Sequence, residues 1–519
     1  MMTSLRTLAL AAGVSAIACA AAAQDAKMGG TLNTIVQPEP TGLNLGLLQN
    51  APTQMVAGQI YESLLRYDEN LDPMPSLARE WSVSDDGLTY TFTLQDGVTW
   101  HDGEAFSAAD VVFSHDVFLR ETSSRWRTVL EHVESITAPD QRTVVYQLKT
   151  PFGPFLRSFE SGSSPILPRH IYEGTDFAGN PANATPIGTG PFKFEAWEQG
   201  SYIHLVKNPD YYRDGLPRLD QIYYRVIPDA ASRTIAFETG EVDVLPAGSV
   251  EMFDLPRIQA MENVCVTDKG WEFFGPLSLI WLNNRNAPLD DAKLRRAINM
   301  AIDRDFAVNA IFAGFGRPAT GPVNSSTRFY SGDTPSIQFD ADAARALVEA
   351  SSYDGQTLRL LPLPYGEVWQ RWAEAVRQNL SDIGVNAELV ASDVAGWNQR
   401  LADWDYDMAF TFVYQYGDPA LGVARNYVST NIAKGSQWNN VEGYENPEVD
   451  RLFAEGATAL TDEERATIYA EAQSLLVEEA PVAWLTEMQQ PTVYRCEVKD
   501  IVTSAIGLND SMRDTWIDR

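Results

Sequence analysis

Large hydrophobic side chains alternate with threonines between Leu88 and Leu94, and this is the most regular pattern in the chain. A period of two is typical of a β-strand with one buried face. Asp-Gly pairs flank this stretch and indicate a turn at each end. After the second turn, Ser107 followed by Asp110 has the pattern of a capping box, which predicts the start of a helix over 108–119.

Helical and strand periodicities alternate along the rest of the chain. Apolar residues three or four positions apart predict helices over 53–67 and 463–479, whereas short apolar runs predict strands over 271–274 and 408–413. No repeat of a fixed length recurs. This interleaving predicts a mixed α/β fold, and the length of 519 residues predicts two or three domains.

The N-terminal residues differ in composition from the rest of the chain. Arg6 precedes an Ala-rich apolar run over 8–23, which ends in small residues that fit a signal peptidase site. We therefore interpret 1–23 as a signal peptide that is cleaved near Ala23, and we expect export to the periplasm. Cys19 leaves open a lipoprotein anchor, although the residues before it fit that motif poorly.

The charge of the chain excludes several classes of partner. Its 70 acidic residues and 39 Lys and Arg residues give a formal net charge of −31. Nucleic acids and anionic lipid surfaces are bound through clustered basic residues, so we expect neither as a partner. The acidity indicates a soluble protein, with attraction of cationic ligands as the alternative interpretation.

Sequence signatures of catalysis are absent. The chain has no Gly-x-Ser-x-Gly elbow, no Walker A loop, no dinucleotide fingerprint and no His-Glu-x-x-His zinc motif. Its five histidines offer little for a metal site, and His101 with Asp102 is better interpreted as part of a turn. We therefore predict no catalytic residues, no metal and no cofactor.

Aromatic residues cluster around the predicted strand 408–413 and the turn that follows it. Aromatic side chains supply large, rigid contact area for ligands, and residues at strand ends often bind them. The alternative is that the aromatic residues within the strand only pack a core. From this region the candidate ligand-binding residues are Trp397, Tyr414, Gln415, Tyr416 and Asp418.

One long segment, residues 77–111, closely resembles the hallmark of the bacterial extracellular solute-binding proteins of the peptide/nickel-binding family, family 5. The similarity continues, in the order expected for the family, at 188–192, at 208–212, from Asn283 to Ile298, and at 444–450. The first of these matches is long and specific. The resemblance covers nearly all of the chain beyond the signal peptide.

The resemblance implies a two-lobed α/β periplasmic-binding-protein fold with hinge crossovers. Lobe one would comprise residues 24–268 together with the returning segment 492–519, and an extra subdomain would lie at about 70–185. Lobe two would comprise residues 269–491. A ligand would bind between the lobes and be buried when the hinge closes.

The family also implies a function and its partners. We expect a monomeric, substrate-binding component of an ABC importer, which captures a peptide or another small organic solute and delivers it to membrane permease subunits served by a separate ATPase. A binding subunit for chemosensing, or a secreted hydrolase with two carboxylates at a cleft, are the alternatives.

Individual residues in the family pattern bear on the ligand. Asn283 belongs to that pattern and joins the candidate ligand-binding set, as does Arg425, which could face an anionic group. In peptide-binding members, an aspartate that pairs with the peptide α-ammonium group usually occupies the position of Gln415. This departure leaves the class of ligand open.

The two cysteines beyond the signal peptide, Cys265 and Cys496, each lie close to one of the implied crossovers. An exported protein can form disulfides. We hypothesise that these residues pair on the lobe-one side of the hinge, and two buried free thiols are the alternative.

Overall fold

Five β-sheets organise the described residues of the computed structural model, 26–436 and 438–519. The predicted signal peptide and Cys19 lie outside the described residues. The strands are β1 (Thr31–Ile35), β2 (Leu65–Tyr67), β3 (Pro73–Pro75), β4 (Ala78–Val83), β5 (Thr89–Leu94), β6 (Val133–Thr137), β7 (Thr143–Leu148), β8 (Phe192–Glu198), β9 (Tyr202–Lys207), β10 (Gln221–Arg225), β11 (Val244–Leu245), β12 (Val264–Thr267), β13 (Leu277–Leu282), β14 (Arg317–Pro318), β15 (Leu358–Leu361), β16 (Ala387–Leu389), β17 (Met408–Val413), β18 (Val482–Glu487), β19 (Thr492–Arg495), β20 (Val498–Lys499) and β21 (Trp516–Ile517).

The α-helices lie between these strands along the chain. They are α1 (Ala51–Ala57), α2 (Ala108–Val112), α3 (Leu119–Thr122), α4 (Ser124–Leu130), α5 (Arg169–Tyr172), α6 (Ala230–Glu238), α7 (Leu255–Gln259), α8 (Ala292–Ala301), α9 (Arg304–Phe306), α10 (Ala341–Glu349), α11 (Glu367–Asp382), α12 (Val394–Asp403), α13 (Ala424–Tyr427), α14 (Pro447–Thr458) and α15 (Asp462–Glu479). Short π-helical segments are Phe113–Phe118, Ala307–Ile311 and Pro419–Val423. Along the described chain, no helix combines the length and the apolar character needed to cross a bilayer.

Two large sheets define two lobes. The first lobe contains a seven-stranded sheet in the order β12-β19-β11-β1-β10-β9-β8, in which β1 is parallel to both of its neighbours. The second lobe contains a six-stranded sheet in the order β14-β18-β13-β17-β15-β16. Each large sheet contributes to its own hydrophobic core. A four-stranded antiparallel sheet, β4-β5-β7-β6, forms the subdomain of the first lobe.

The strand β5 and the helix after it follow the local sequence pattern. Tyr90, Phe92 and Leu94 are buried, and the threonines between them lie on the more exposed face. At the start of α2, the Asp110 carboxylate accepts hydrogen bonds from the backbone N–H and the hydroxyl of Ser107, at 2.8 and 3.0 Å. The capping box therefore fixes the start of this helix as predicted.

Two predicted elements are wrong. The predicted helix 53–67 ends at Ala57, because Gly58 packs against the backbone of Asn509 and the chain then turns toward the strand β2. The segment 271–274 is not a strand. Its aromatic residues are buried in a cluster outside the sheets, and short apolar runs do not distinguish these two environments.

Two connections join the lobes. The chain leaves the first lobe after β12, which ends at Thr267, and enters β13 at Leu277. It returns between β18, which ends at Glu487, and β19, which begins at Thr492. Because β19 pairs with β12 and with β11, the two connections are held side by side at the edge of the first sheet.

A disulfide lies directly beside these connections. Cys265 in β12 is bonded to Cys496, with their Cα atoms 5.1 Å apart. The two residues are 231 positions apart in the sequence, and the whole second lobe lies between them. The bond therefore links the outgoing and the returning chain on the side of the first lobe.

Reduction of this disulfide should lower the free energy of unfolding by about 2–4 kcal/mol, because the bond restricts a long loop of the unfolded chain. Urea unfolding of the exported form with and without dithiothreitol measures the difference. The Cys265→Ala/Cys496→Ala double variant is the control. Its free energy of unfolding should equal that of the reduced protein and should not change with dithiothreitol. Equal stability of the oxidised and reduced protein would contradict this role.

Candidate functional site

A cavity of about 270 Å³ lies between the two lobes. The first lobe supplies the helix α4 and the segment around Arg157, and the second lobe supplies residues after β17. The lining residues are Ser124, Arg125, Trp126, Thr128, Val129, Arg157, Ser158, Ser163, Phe273, Tyr416, Ala420, Leu421, Ala424, Arg425, Asn431 and Asn439. Because both lobes form its walls, this cavity can exist only when the lobes are close together.

The local charge of the cavity is opposite to the charge of the whole chain. Arg125, Arg157 and Arg425 line it, whereas none of the described lining residues is an aspartate or a glutamate. The full chain nevertheless carries 70 acidic residues against 39 Lys and Arg residues. The site is therefore a basic cavity within an acidic protein.

Tyr416 and Arg125 join the lobes directly. The guanidinium of Arg125 lies 4.0 Å from the centre of the Tyr416 ring, in a cation–π contact. Arg425 approaches the same ring at 5.6 Å. Arg125 also donates a hydrogen bond of 3.2 Å to Glu160, which holds its side chain toward the second lobe.

The turn that carries Tyr416 depends on one glycine. A Cβ atom at Gly422 would lie 2.3 Å from backbone atoms of Gln415, so only glycine allows this close return of the chain. Tyr416 has a positive φ of 50°. Because of this backbone conformation, the side chains of Gln415 and Tyr416 point in different directions.

A smaller cavity of about 70 Å³ adjoins the first and shares Arg125 and Tyr416 with it. One side of it is aromatic, and the Tyr414 ring there lies 5.3 Å from Phe274 and 6.4 Å from Trp271. Burial raises the pKa of Tyr414 well above its ordinary value, so this hydroxyl remains protonated. The aromatic side suits an apolar or aromatic group. The other lining residues are Gln49, Ala51, Gln54 and Asn509.

Other contacts also cross between the lobes. Arg328 of the second lobe forms a 3.2 Å ion pair with Asp72 of the first. The backbone N–H of Gly153 donates a 2.8 Å hydrogen bond to Ala457, and the rings of Tyr67 and Phe273 stack at 5.6 Å. The structure therefore represents a closed arrangement of the lobes.

A sequence model of the family described as "Bacterial extracellular solute-binding proteins, family 5 Middle" matches residues 72–434. This chain belongs to that family. Its members are solute-binding proteins and not enzymes, so the hydrolase alternative is excluded.

Curated relatives support the same assignment. This chain is 27% identical to the probable di/tripeptide-binding protein 5 of Pseudomonas aeruginosa, over 93% of this chain and 95% of the relative. It is 29% identical to the glutathione-binding protein GsiB of Pectobacterium atrosepticum, over 93% of each chain. The similarity therefore extends over nearly the full length of both proteins.

Solved structures show the same two-lobed fold. The ABC transporter substrate binding protein CtaP from Listeria monocytogenes superposes with a TM-score of 0.84 at 25% identity, covering 95% of this chain and 100% of that one. DppA from Helicobacter pylori, in complex with the peptide STSA, gives a TM-score of 0.80 at 24% identity, with coverage of 95% and 99%. At 24% identity, the similarity to DppA shows a shared fold.

Three of the residues that sequence analysis selected line the cavities of this solute-binding protein. Tyr416 and Arg425 face the main cavity, and Tyr414 faces the smaller one. Gln415, between the two tyrosines, points the other way. Its amide accepts a 2.9 Å hydrogen bond from the N–H of Asn324 and donates one of 2.8 Å to Pro322.

The other selected residues lie outside both cavities. Asn283 is buried and donates hydrogen bonds to the carbonyl groups of Trp404 and Tyr406, at 3.3 and 3.0 Å. Trp397 is fully buried in the core of the second lobe, where its ring lies 6.2 Å from that of Trp281. Asn283 is therefore held by backbone partners and Trp397 by ring packing.

Asp418 forms a buried ion pair with Arg465, at 2.7 Å, and caps the following π-helical segment through the N–H of Ala420. Both charged side chains are almost completely inaccessible to solvent. Burial favours the neutral form of Arg465, but the Asp418 carboxylate outweighs it and raises the pKa of the guanidinium above its ordinary value. This aspartate stabilises the turn that carries Tyr416.

Sequence reasoning missed Arg125, Arg157 and Trp271. The two arginines lie in the subdomain of the first lobe, far along the chain from the aromatic cluster. Nothing in their local pattern distinguishes them from exposed helix residues. Only the closed arrangement of the lobes brings them into the same cavity as Tyr416. Among the described residues, no group of His, Cys, Asp and Glu is arranged to hold a metal ion.

The Asp418→Ala substitution should lower the free energy of unfolding by about 3–5 kcal/mol, because it leaves Arg465 buried without its counter-charge. Replacing both partners, in Asp418→Leu/Arg465→Met, should cost less than the single change. Chemical denaturation of the single and double variants measures both effects. Wild-type stability of Asp418→Ala, together with loss of ligand binding, would instead make Asp418 a ligand contact.

Proposed function

We propose that this protein captures a small organic solute in the cavity between its lobes and delivers it, in the closed form, to the permease subunits of an ABC importer with a separate ATPase. One observation carries the proposal most directly. The Arg125–Tyr416 contact, at 4.0 Å, joins the lobes at the wall of the cavity. A bound solute would contact both lobes here and so stabilise closure.

The mechanism is a hinge motion between an open and a closed state. A solute that contacts both lobes binds more tightly to the closed state and shifts the population toward it. The two adjacent connections restrict the motion of the lobes to opening and closing. A permease can then recognise the closed surface, because only that surface brings both lobes into fixed positions.

The size and lining of the site support a small solute rather than a long chain. The named relatives bind dipeptides, tripeptides or glutathione, which are molecules of a size suited to this cavity. We propose Tyr414, Tyr416 and Arg425 as ligand contacts of the second lobe. Arg125 and Arg157 join them from the first lobe. No cofactor takes part, and a monomer suffices because one chain supplies both walls.

The Tyr416→Ala substitution should weaken solute binding about tenfold or more, because it removes the ring that joins the two walls of the cavity. A thermal-shift screen over peptides, organic acids, sugars and metal chelates first identifies a solute, since a ligand at 100 times its Kd adds about 2.7 kcal/mol of stability. Titration calorimetry then gives Kd for the variant.

The matched control for this experiment is Tyr202→Ala, which removes a half-buried tyrosine from β9 of the first lobe, outside both cavities. It should retain the wild-type Kd. Equal affinity of the Tyr416→Ala variant and the wild type would place the solute elsewhere. Failure of the whole screen to shift the unfolding temperature would count against solute binding itself.

The secreted form should begin at Gln24, because the signal peptide is proposed to end at Ala23. Intact-mass measurement of the protein recovered from the periplasm after expression of the full chain tests this start. The Ala23→Leu variant, which removes the small residue at the proposed cleavage site, should slow processing. A mass that corresponds to a lipid-modified chain beginning at Cys19 would contradict the prediction and support the lipoprotein alternative.

A further inference from the structure

Two arginines of the main cavity, one in each lobe, have buried groups without a partner. Within the described part of the chain, the Nε atoms of Arg157 and Arg425 are buried and have no hydrogen-bond partner. Arg157 as a whole is only 9% exposed. Buried polar atoms are normally paired, so unpaired ones beside a cavity are candidates to bind a ligand.

The charge around Arg157 leaves it uncompensated. Two acidic groups act on it, and each already has a partner: Asp418 forms the 2.7 Å ion pair with Arg465, and Asp462 pairs with Arg328. Burial lowers the pKa of Arg157, although the guanidinium remains charged. A buried charge without a partner is unfavourable, so an anion that enters the cavity would relieve this penalty.

A third unpaired group lies beside Arg157. The hydroxyl of Ser158 is buried and has no hydrogen-bond partner in the described residues, and it lines the same cavity. A guanidinium and a hydroxyl next to each other suit the two oxygen atoms of a carboxylate. Arg425 provides a second guanidinium from the opposite lobe.

Neither cavity offers a carboxylate to a positive charge. The described residues that line the main cavity and the smaller cavity include no aspartate and no glutamate. A free ammonium group would therefore lose its water without gaining a carboxylate, which is unfavourable. The aromatic walls of Tyr414 and Trp271 instead fit an apolar group.

From these observations we infer that the solute is an organic acid whose anionic groups bind Arg157 and Arg425 and whose apolar part lies against the aromatic side of the smaller cavity. The inference rests on the proposed function and adds the class of ligand. It predicts discrimination against a zwitterionic peptide of similar size, because such a peptide carries an ammonium group for which the described lining has no carboxylate.

The experiment uses three probes that share a phenylalanine core and differ in charge. They are N-succinyl-phenylalanine, which is a dianion at neutral pH, the zwitterionic dipeptide Phe-Ala, and the neutral N-acetyl-phenylalanine amide. Titration calorimetry at constant ionic strength should give a Kd for the dianion that is about tenfold or more below the Kd of either other probe.

Charge-removing variants locate the effect. Arg157→Gln and Arg425→Gln should each raise the Kd of the dianion about tenfold, with little change for the neutral amide. Arg451→Gln, an exposed arginine on α14 that pairs with Glu448, is the matched control and should retain the wild-type Kd. Without ligand, the Arg157→Gln protein should unfold at the same temperature as the ligand-free wild type or at a higher one, because an unpaired buried charge has been removed.

The outcomes separate this inference from the proposed function. If Phe-Ala or the neutral amide binds as tightly as the dianion, or if the dianion does not bind, the organic-acid assignment is wrong. Binding of any solute in the broader screen then still supports the proposed function, whereas no binding by any compound would overturn both. A lower unfolding temperature of the empty Arg157→Gln protein would make Arg157 a structural residue and would also overturn the assignment.

Discussion

The two lobes are connected twice, and both connections leave the same edge of the first sheet. β19 pairs with both β11 and β12, so the outgoing and returning segments lie next to each other and cannot move independently. The disulfide between Cys265 and Cys496 adds a covalent link at this point. This double connection is the geometry of a hinge between the two lobes. The cavity between the lobes, and its opening and closing, depend on this arrangement.

Closure produces a local charge that the sequence as a whole does not suggest. The chain is strongly acidic, but the cavity collects arginines from both lobes and excludes acidic side chains. Asp418 would be the exception, and its pairing with Arg465 removes it from the cavity and uses it to stabilise the turn. The acidic surface keeps the exported protein dispersed, whereas the arginines that line the main cavity attract anions. Net charge and ligand preference are thus separate properties of this molecule.

The sequence predicted the elements that depend on local pattern and missed those that depend on the lobes coming together. The strand β17 lies where a short apolar run predicted it, and the helix α15 lies where helical spacing predicted it, although the buried side of α15 includes the polar Arg465 and Gln473. Position after a strand indicated Tyr414 and Tyr416, whereas the direction of Gln415 between them depends on the turn that Gly422 allows. The predicted helix 53–67 failed because contacts with the distant Asn509 end it early. No local signal marks Arg157, because its role depends on a cavity that two separate folding units complete.

A crystal structure of the exported protein with a solute identified by the binding screen tests this mechanism most directly. We expect the lobes to be closed and the solute to lie between them, within hydrogen-bonding distance of side chains from both lobes and in contact with Tyr416. A solute bound to one lobe alone, or at a site outside the space between the lobes, would contradict it.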